Sequence, residues 1–289
     1  MPRSRWARAG ARLGRDRVAA LGLAIIALTV AAAVLAPALS PADPIRNSLL
    51  DRLTPPMWVE GGTARHPLGT DTLGRDVASR LLHGARVSLV VGLAAVAIAG
   101  TLGVAVGLAG GYYRGWLDDA MMRVGDVQLA FPVLLLGVAV LAVLGPGERN
   151  LILVLGVSGW ITYARIVRGE TLSLVEREFV EAARALGAPT VRILWRHVLP
   201  NLVSPITVQG TFIFAYAVLA EAALSFLGVG VPPEIPTWGT MVAGGQVYAH
   251  QALWIVLFPG LAIIVTALSL QVLGDGIRDL LDPRLRRTA

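Results

Sequence analysis

Residues 87–108 read VSLVVGLAAVAIAGTLGVAVGL, a run without one charged side chain. A helix rises about 1.5 Å per residue and the bilayer hydrocarbon is about 30 Å thick, so roughly 20 consecutive apolar residues cross it. Five further stretches have the same character: 19–39, 127–144, 151–164, 203–227 and 253–273. Across all six, Glu221 is the only charge. The stretch 151–164 is the shortest, and its length alone also suits a buried or re-entrant helix. It is kept as a crossing because without it the Arg-rich segment that follows would share a side with the Arg-poor loop after 203–227. The sequence therefore predicts an all-α polytopic membrane protein with six transmembrane helices.

Composition agrees. Of 289 residues, 55% are hydrophobic and 15% charged, with a mean hydropathy of +0.66. Soluble domains carry about 25% charged residues, so this chain has too little charge to cover a globular surface. All 25 basic residues are Arg. Without Lys there is no P-loop ATPase motif, no Schiff-base chemistry and no Lys general base. Without Cys there are no disulfides, thiol nucleophiles or Cys-bound metals. His66, His83, His197 and His250 are scattered, with no H-E-x-x-H pair. Gly69–Asp76 holds two Asp but lacks the alternating acids of an EF-hand, and Arg75 opposes a cation. No cofactor and no metal are expected.

The Arg distribution sets the orientation. With both ends inside, the inner segments 1–18, 109–126, 165–202 and 274–289 hold 18 of the 25 Arg and net +7. The outer segments 40–86, 145–150 and 228–250 hold 7 Arg and net zero. The positive charge is thus a topology signal and not a nucleic-acid surface. The first stretch, with six Arg before it and Ala36-Pro37-Ala38 near its end, has signal-peptide features. Its length exceeds the 7–15 residues of a secretory core, so it reads as an uncleaved anchor. Tyr112, Tyr113, Trp116, Tyr248 and Trp254 stand at span edges, where aromatic belts form.

The longest inner segment, 165–202, contains TLSLVEREFVEAARALGAPTVRILWRHVLPN over 171–201. Ser173-x-x-Glu176 fits a capping box and predicts a helix from about Leu174. Phe179, Ala182, Ala183 and Leu186 recur at helical spacing, forming a shallow apolar ridge suited to a groove in another protein. Gly187 supplies a stop and Pro189 follows. A second short helix is predicted over about 190–199, ending at Pro200. Two short helices, fixed to two spans, would carry a partner's motion into the bundle. A solvated helix pair on the membrane surface is the plainer alternative.

Glu181-Ala182-Ala183, then Gly187, then Leu199-Pro200 resemble the "EAA" loop of inner-membrane permease subunits of bacterial ABC importers. Arg196-His197-Val198-Leu199-Pro200-Asn201 is similar to the RH-x-LPN of the peptide-importer branch, where the looser family pattern prefers an aliphatic residue at His197. His66–Asp76, Ser79-Arg80-Leu81, Gly84–Leu89, Glu221–Gly228 and Gly274–Arg284 look like segments of the C-type subunit of dipeptide and oligopeptide permeases. The resemblance covers the chain from about Arg15. It implies a type I ABC importer transmembrane fold in the bacterial inner membrane. It also implies four kinds of partner: a second homologous permease, two cytoplasmic ATP-binding subunits, an extracytoplasmic solute-binding protein and the lipid bilayer. It gives Glu181, Ala182, Ala183, Gly187, Leu199 and Pro200 an ATPase-coupling role. The segment Gly69–Asp76 becomes an outer loop seated on the partner subunit or binding protein. The expected division is tail and first span at 1–40, outer loop at 41–85, permease domain at 86–275 with the coupling loop at 165–202, and a tail at 276–289.

Glu221 lies within a span, where a carboxylate is a functional candidate by default. It either lines the pathway or makes a structural hydrogen bond. Two rival functions remain. Gly156-Val157-Ser158-Gly159 resembles the motif of rhomboid intramembrane proteases, with Ser158 as nucleophile, but that chemistry needs a His on a later span. Val157-Ser158-Gly159 also reads as a small-residue helix contact. A self-contained secondary transporter would show repeats and broken helices around intramembrane charges, and one charge without a repeat fits it poorly.

Overall fold

The computed structural model describes residues 17–281. Most of the Arg-rich start and the end of the C-terminal segment read above lie outside them. Ten α-helices follow one another: α1 (Arg17–Leu39), α2 (Val77–Tyr113), α3 (Gly115–Leu129), α4 (Val133–Leu144), α5 (Glu148–Val175), α6 (Glu178–Ala185), α7 (Thr190–Ile193), α8 (Leu199–Phe226), α9 (Trp238–Gly245) and α10 (Trp254–Leu281). The described residues form no strand beyond one isolated bridge, Thr70 to Asp76.

Five helices are long and apolar enough to cross a membrane; α3 and α4 together give the sixth. The predicted run 127–144 is not one straight helix. It breaks at Ala130-Phe131-Pro132, and the two pieces meet at 87°. Pro132 has no N–H to donate and pushes Phe131 out of the helical region. The 12 residues of α4 span only about 18 Å, too short to cross alone. Yet α2 delivers the chain to one end of the bundle and α5 starts from the other, so the bent pair makes one traverse.

The weakest apolar stretch becomes part of α5, a continuous helix of 28 residues. It is the least apolar of the five long helices and the most buried. A helix surrounded by protein needs less hydrophobicity than one facing lipid. Its main neighbour is α2, the most extensive pairing in the molecule. Small residues let the backbones approach: a Cβ at Gly103 would stand 2.4 Å from both the Trp160 carbonyl oxygen and Tyr163 Cβ. Gly159 faces Ala99 in the same seam, so of Val157-Ser158-Gly159 the glycine makes the small-residue helix contact, while Val157 is exposed.

Helix α2 starts at Val77, ten residues ahead of its apolar run. Asp76 caps it, its side chain accepting from the Ser79 backbone N–H at 2.7 Å. At the other end three Arg fasten α5 and the turn after it to neighbouring elements. Arg114, between α2 and α3, reaches Glu176 at 2.8 Å. Arg165 pairs with Asp126, and Arg168 with Asp118.

Candidate functional site

The segment between α5 and α8 forms a bent helical hairpin. The predicted capping box at Ser173 does not form. Helix α5 runs through to Val175, and α6 starts at Glu178 with Arg177 ahead of it, which makes no side-chain cap. Packing decides this: Leu174 and Val175 are buried with Val167 and Val180, so the helix continues until that apolar side is covered.

Helix α6 stops where the sequence predicts. Gly187 has φ +77°, the left-handed region open to glycine. The Ala188 N–H donates to the Ala183 carbonyl and the Gly187 N–H to the Arg184 carbonyl, both at 3.0 Å. These are the two bonds of a Schellman stop, with Ala188 packed in the same cluster as Ala183.

The next helix does not end at Pro200. In a regular helix Pro200 would clash with the Arg196 carbonyl and leave it without a donor. The backbone widens instead into a π-helical stretch, Leu194–Val198, with the Leu199 N–H bonded to the Leu194 carbonyl. Asn201 Nδ2 donates to the His197 carbonyl of this stretch at 2.7 Å. The helix then continues, so Thr190–Phe226 is one element of 37 residues. Leu199 and Pro200 sit at this junction, Leu199 half-buried and Pro200 exposed.

Side chains divide cleanly. Val180, Ala183, Ile193 and Val198 turn inward against Leu174 of α5 and Leu202 of α8, with Leu108 and Tyr112 of α2 alongside. The predicted ridge is therefore split: Ala183 belongs to the core, while Phe179, Ala182 and Leu186 face out. Leu186 is 88% exposed, and two residues the pattern did not single out, Val191 and Trp195, are 66% and 68% exposed. Their signal was the placement of large apolar residues in an Arg-rich helix. Glu181 is exposed and enters no ion pair among the described residues. Arg184 lies over the Tyr112 ring, 5.8 Å from its centre.

Glu221 lines no open surface of this chain. It is completely buried, with Ser88 Oγ donating to Oε2 and Ser225 Oγ to Oε1, each at 2.9 Å. The hydrogen-bond reading fits this burial. Ser225 Oγ also accepts from the Val231 N–H, tying α8 to the loop after it. The segment Gly69–Asp76 likewise turns inward. Asp71 holds Arg75 at 2.7 Å and Asp76 holds His66 at 3.0 Å; both carboxylates are buried. Their chemistry serves the loop's own fold.

Ser158 borders an apolar groove of about 220 Å³ between the bent pair and α5. Its carbonyl accepts from Gln128 Nε2 at 2.8 Å, and Gln128 Oε1 accepts from Trp160 Nε1. His250 is exposed in the turn before α10, and no hydrogen bond joins it to Ser158 among the described residues. A Ser–His nucleophile is not assembled.

Residues 100–287 match the family model described as the binding-protein-dependent transport system inner membrane component. That is well over half of the chain. The chain belongs to this family. Residues 4–56 also match the N-terminal transmembrane domain of oligopeptide transport permease C. The permease is 44% identical to a di/tripeptide transport system permease protein of Pseudomonas aeruginosa, over 93% of this chain and 88% of the relative. It is 41% identical to a dipeptide transport system permease protein of Escherichia coli, covering 94% and 91%. It is 39% identical to a glutathione transport system permease protein of Pectobacterium atrosepticum, covering 98% and 93%. The permease thus has the type I ABC importer transmembrane fold, is a multi-pass inner-membrane protein, and works as a transport subunit rather than an intramembrane protease.

Proposed function

We propose that the chain is one of two homologous permease subunits of an importer for di- or oligopeptides, driven by two separate cytoplasmic ATPases and supplied by an extracytoplasmic binding protein. The peptide assignment rests on the relatives named above. The separate motor follows from composition, since a Lys-free chain has no Walker lysine. The Arg bias supports a cytoplasmic hairpin and cytoplasmic chain ends.

One observation carries the coupling role: the exposed apolar side of the hairpin is continuous, through an unbroken helix, with a membrane span. Phe179, Ala182, Leu186, Val191 and Trp195 offer a shallow surface to an ATPase groove. Glu181 stands unpaired beside it for a polar contact, and Gly187 sets the bend. ATP binding draws the two motors together and moves the hairpins. The spans then rock, so the pathway turns from inward- to outward-facing and accepts solute. Hydrolysis restores the first state.

Glu181→Arg and Gly187→Pro test this reading. Each should abolish peptide uptake and strip the ATPases from the purified complex, while the chain still inserts into the membrane. Wild-type uptake in both variants would remove the coupling role. Growth on defined peptides, with and without the chain, tests the cargo.

A further inference from the structure

At the end of the bundle opposite the hairpin, residues 40–76 fold into an ordered loop over the start of α2 and α10. Most of its polar groups are used internally, but three consecutive large apolar side chains are not covered. Met57 is 56% exposed, Trp58 61% and Val59 45%. We infer that this tip, Met57-Trp58-Val59, is a lipid anchor that dips into the adjacent bilayer leaflet.

Depth is the first argument. Trp254 opens α10, and its indole N–H donates to the Thr70 carbonyl of the loop at 3.1 Å. From Trp254 to Leu273 α10 carries no charge, and Asp275 is the first. Those 20 residues rise about 30 Å, which matches the hydrocarbon and puts Trp254 at its boundary. Phe258 lies one helical turn further in, about 6 Å along the axis. The Trp58 ring packs edge-on against Phe258, with ring centres 6.2 Å apart. The indole therefore lies within about one helical turn of the boundary. Interfacial segments bury their apolar groups about 5–10 Å into that zone.

Continuity is the second. Phe258 shares a helix face with Leu261 and Val265, both exposed. Trp58 extends this apolar stripe without a polar gap. A protein docking from the aqueous side would instead meet the tip above the boundary.

The backbone gives the third. Groups in a lipid environment must find partners within the protein. The Met57 N–H donates to the Pro67 carbonyl at 3.2 Å and the Val59 N–H to the Pro56 carbonyl at 2.9 Å. The Gly62 N–H returns to the Val59 carbonyl, also at 2.9 Å. Pro55 and Pro56 have no N–H to leave exposed. Three of the N–H groups of this turn are thus used within the protein, and its crown is apolar, which suits the headgroup–acyl boundary, where Trp is favoured.

The native chain has no Cys, so single-Cys variants can be spin-labelled without background. Met57→Cys and Val59→Cys would be labelled in the full chain, purified with its accompanying subunits and placed in phospholipid nanodiscs. Collision with oxygen, which concentrates in lipid, is compared with collision with chromium oxalate, which stays in water. Leu28→Cys on the exposed side of α1 gives the lipid reference, and Glu234→Cys the aqueous one. Both tip labels should show an oxygen-to-chelate ratio close to Leu28→Cys and several-fold above Glu234→Cys. A ratio matching Glu234→Cys would place the tip in water, and exclusion of both reagents would place it under a protein partner. Either result overturns the proposal. The outcome does not depend on cargo or on ATPase coupling.

Discussion

Arg168 holds Asp118 with two parallel bonds, Nε to Oδ1 at 2.5 Å and Nη2 to Oδ2 at 2.6 Å. The fork joins α5 to α3, the two helices that flank the hairpin end of the bundle. Asp118 is buried while Arg168 keeps some contact with solvent. Such a pair fixes orientation as well as proximity, because the planar guanidinium matches both carboxylate oxygens. Helix α3 meets α5 over few residues, so this fork, the Arg165–Asp126 pair and the bonds of Gln128 to Ser158 and Trp160 hold it in place.

Arg168→Ala should destabilise the folded chain by roughly 1–3 kcal/mol, the cost of leaving a buried charged acceptor without its donors. Arg168→Lys should recover only part of that, since an ammonium cannot reproduce the fork. Thermal unfolding in detergent, combined with Asp118→Asn in a double-mutant cycle, measures the coupling. Equal stability of the Lys and Ala variants would show that the second bond is irrelevant.

Gly103→Leu should be far more damaging than an equally apolar change on the lipid side. Even the first carbon of a side chain would meet the Trp160 carbonyl at 2.4 Å. The backbone of α5 must then move, and overpacking of this kind costs about 1–3 kcal/mol or more. Leu93→Ile, at an exposed site on α2, is the control. The expected readout is loss of monodisperse protein for Gly103→Leu alone.

Position 187 separates conformation from contact. A Cβ there meets nothing within 4 Å, but φ is +77°. Gly187→Asn, which tolerates the left-handed region, should keep most uptake. Gly187→Ala should lose about 1 kcal/mol of local stability and show intermediate uptake. Gly187→Pro should lose function, because its ring cannot adopt that φ. If all three behaved alike, the bend would not be what this glycine provides.

Glu221→Gln should leave the KM for peptide uptake unchanged. The amide oxygen can accept from Ser225, and the Ser88 hydroxyl can turn to accept from the amide nitrogen. Glu221→Leu leaves both hydroxyls without the acceptor they use here and should cost about 1–3 kcal/mol of stability. A changed KM with Gln at normal stability would restore a pathway role for this carboxylate.

The crossings were legible because lipid imposes a length and a composition, and 87–108 satisfies both. The Gly187 stop was legible for a local reason: one residue type fits one backbone region. Ser173 misled because its cap competed with the burial of Leu174 and Val175, which lie next to it but pack against residues distant in sequence. Pro200 misled in the same way. Its local effect is real, but the chain answers it by widening a turn, so the helix does not end. For Glu221, sequence showed only an acid in a span; its two hydroxyl partners, Ser88 and Ser225, include one 133 residues away. The outward turn of Trp195 and Val191 depended on which side of the hairpin the bundle covers.

The 37-residue helix from Thr190 to Phe226 runs about 55 Å from end to end, through the widened turn at Leu194–Val198 and past Pro205. A tilt of about 5° at one end displaces the other by about 5 Å, close to the pitch of a helical turn. No loop lies along it to absorb slack. Trp195 lies near one tip and Glu221 near the other, so if the coupling proposal holds, a displacement applied at Trp195 is felt at Glu221 with no joint of loop between them.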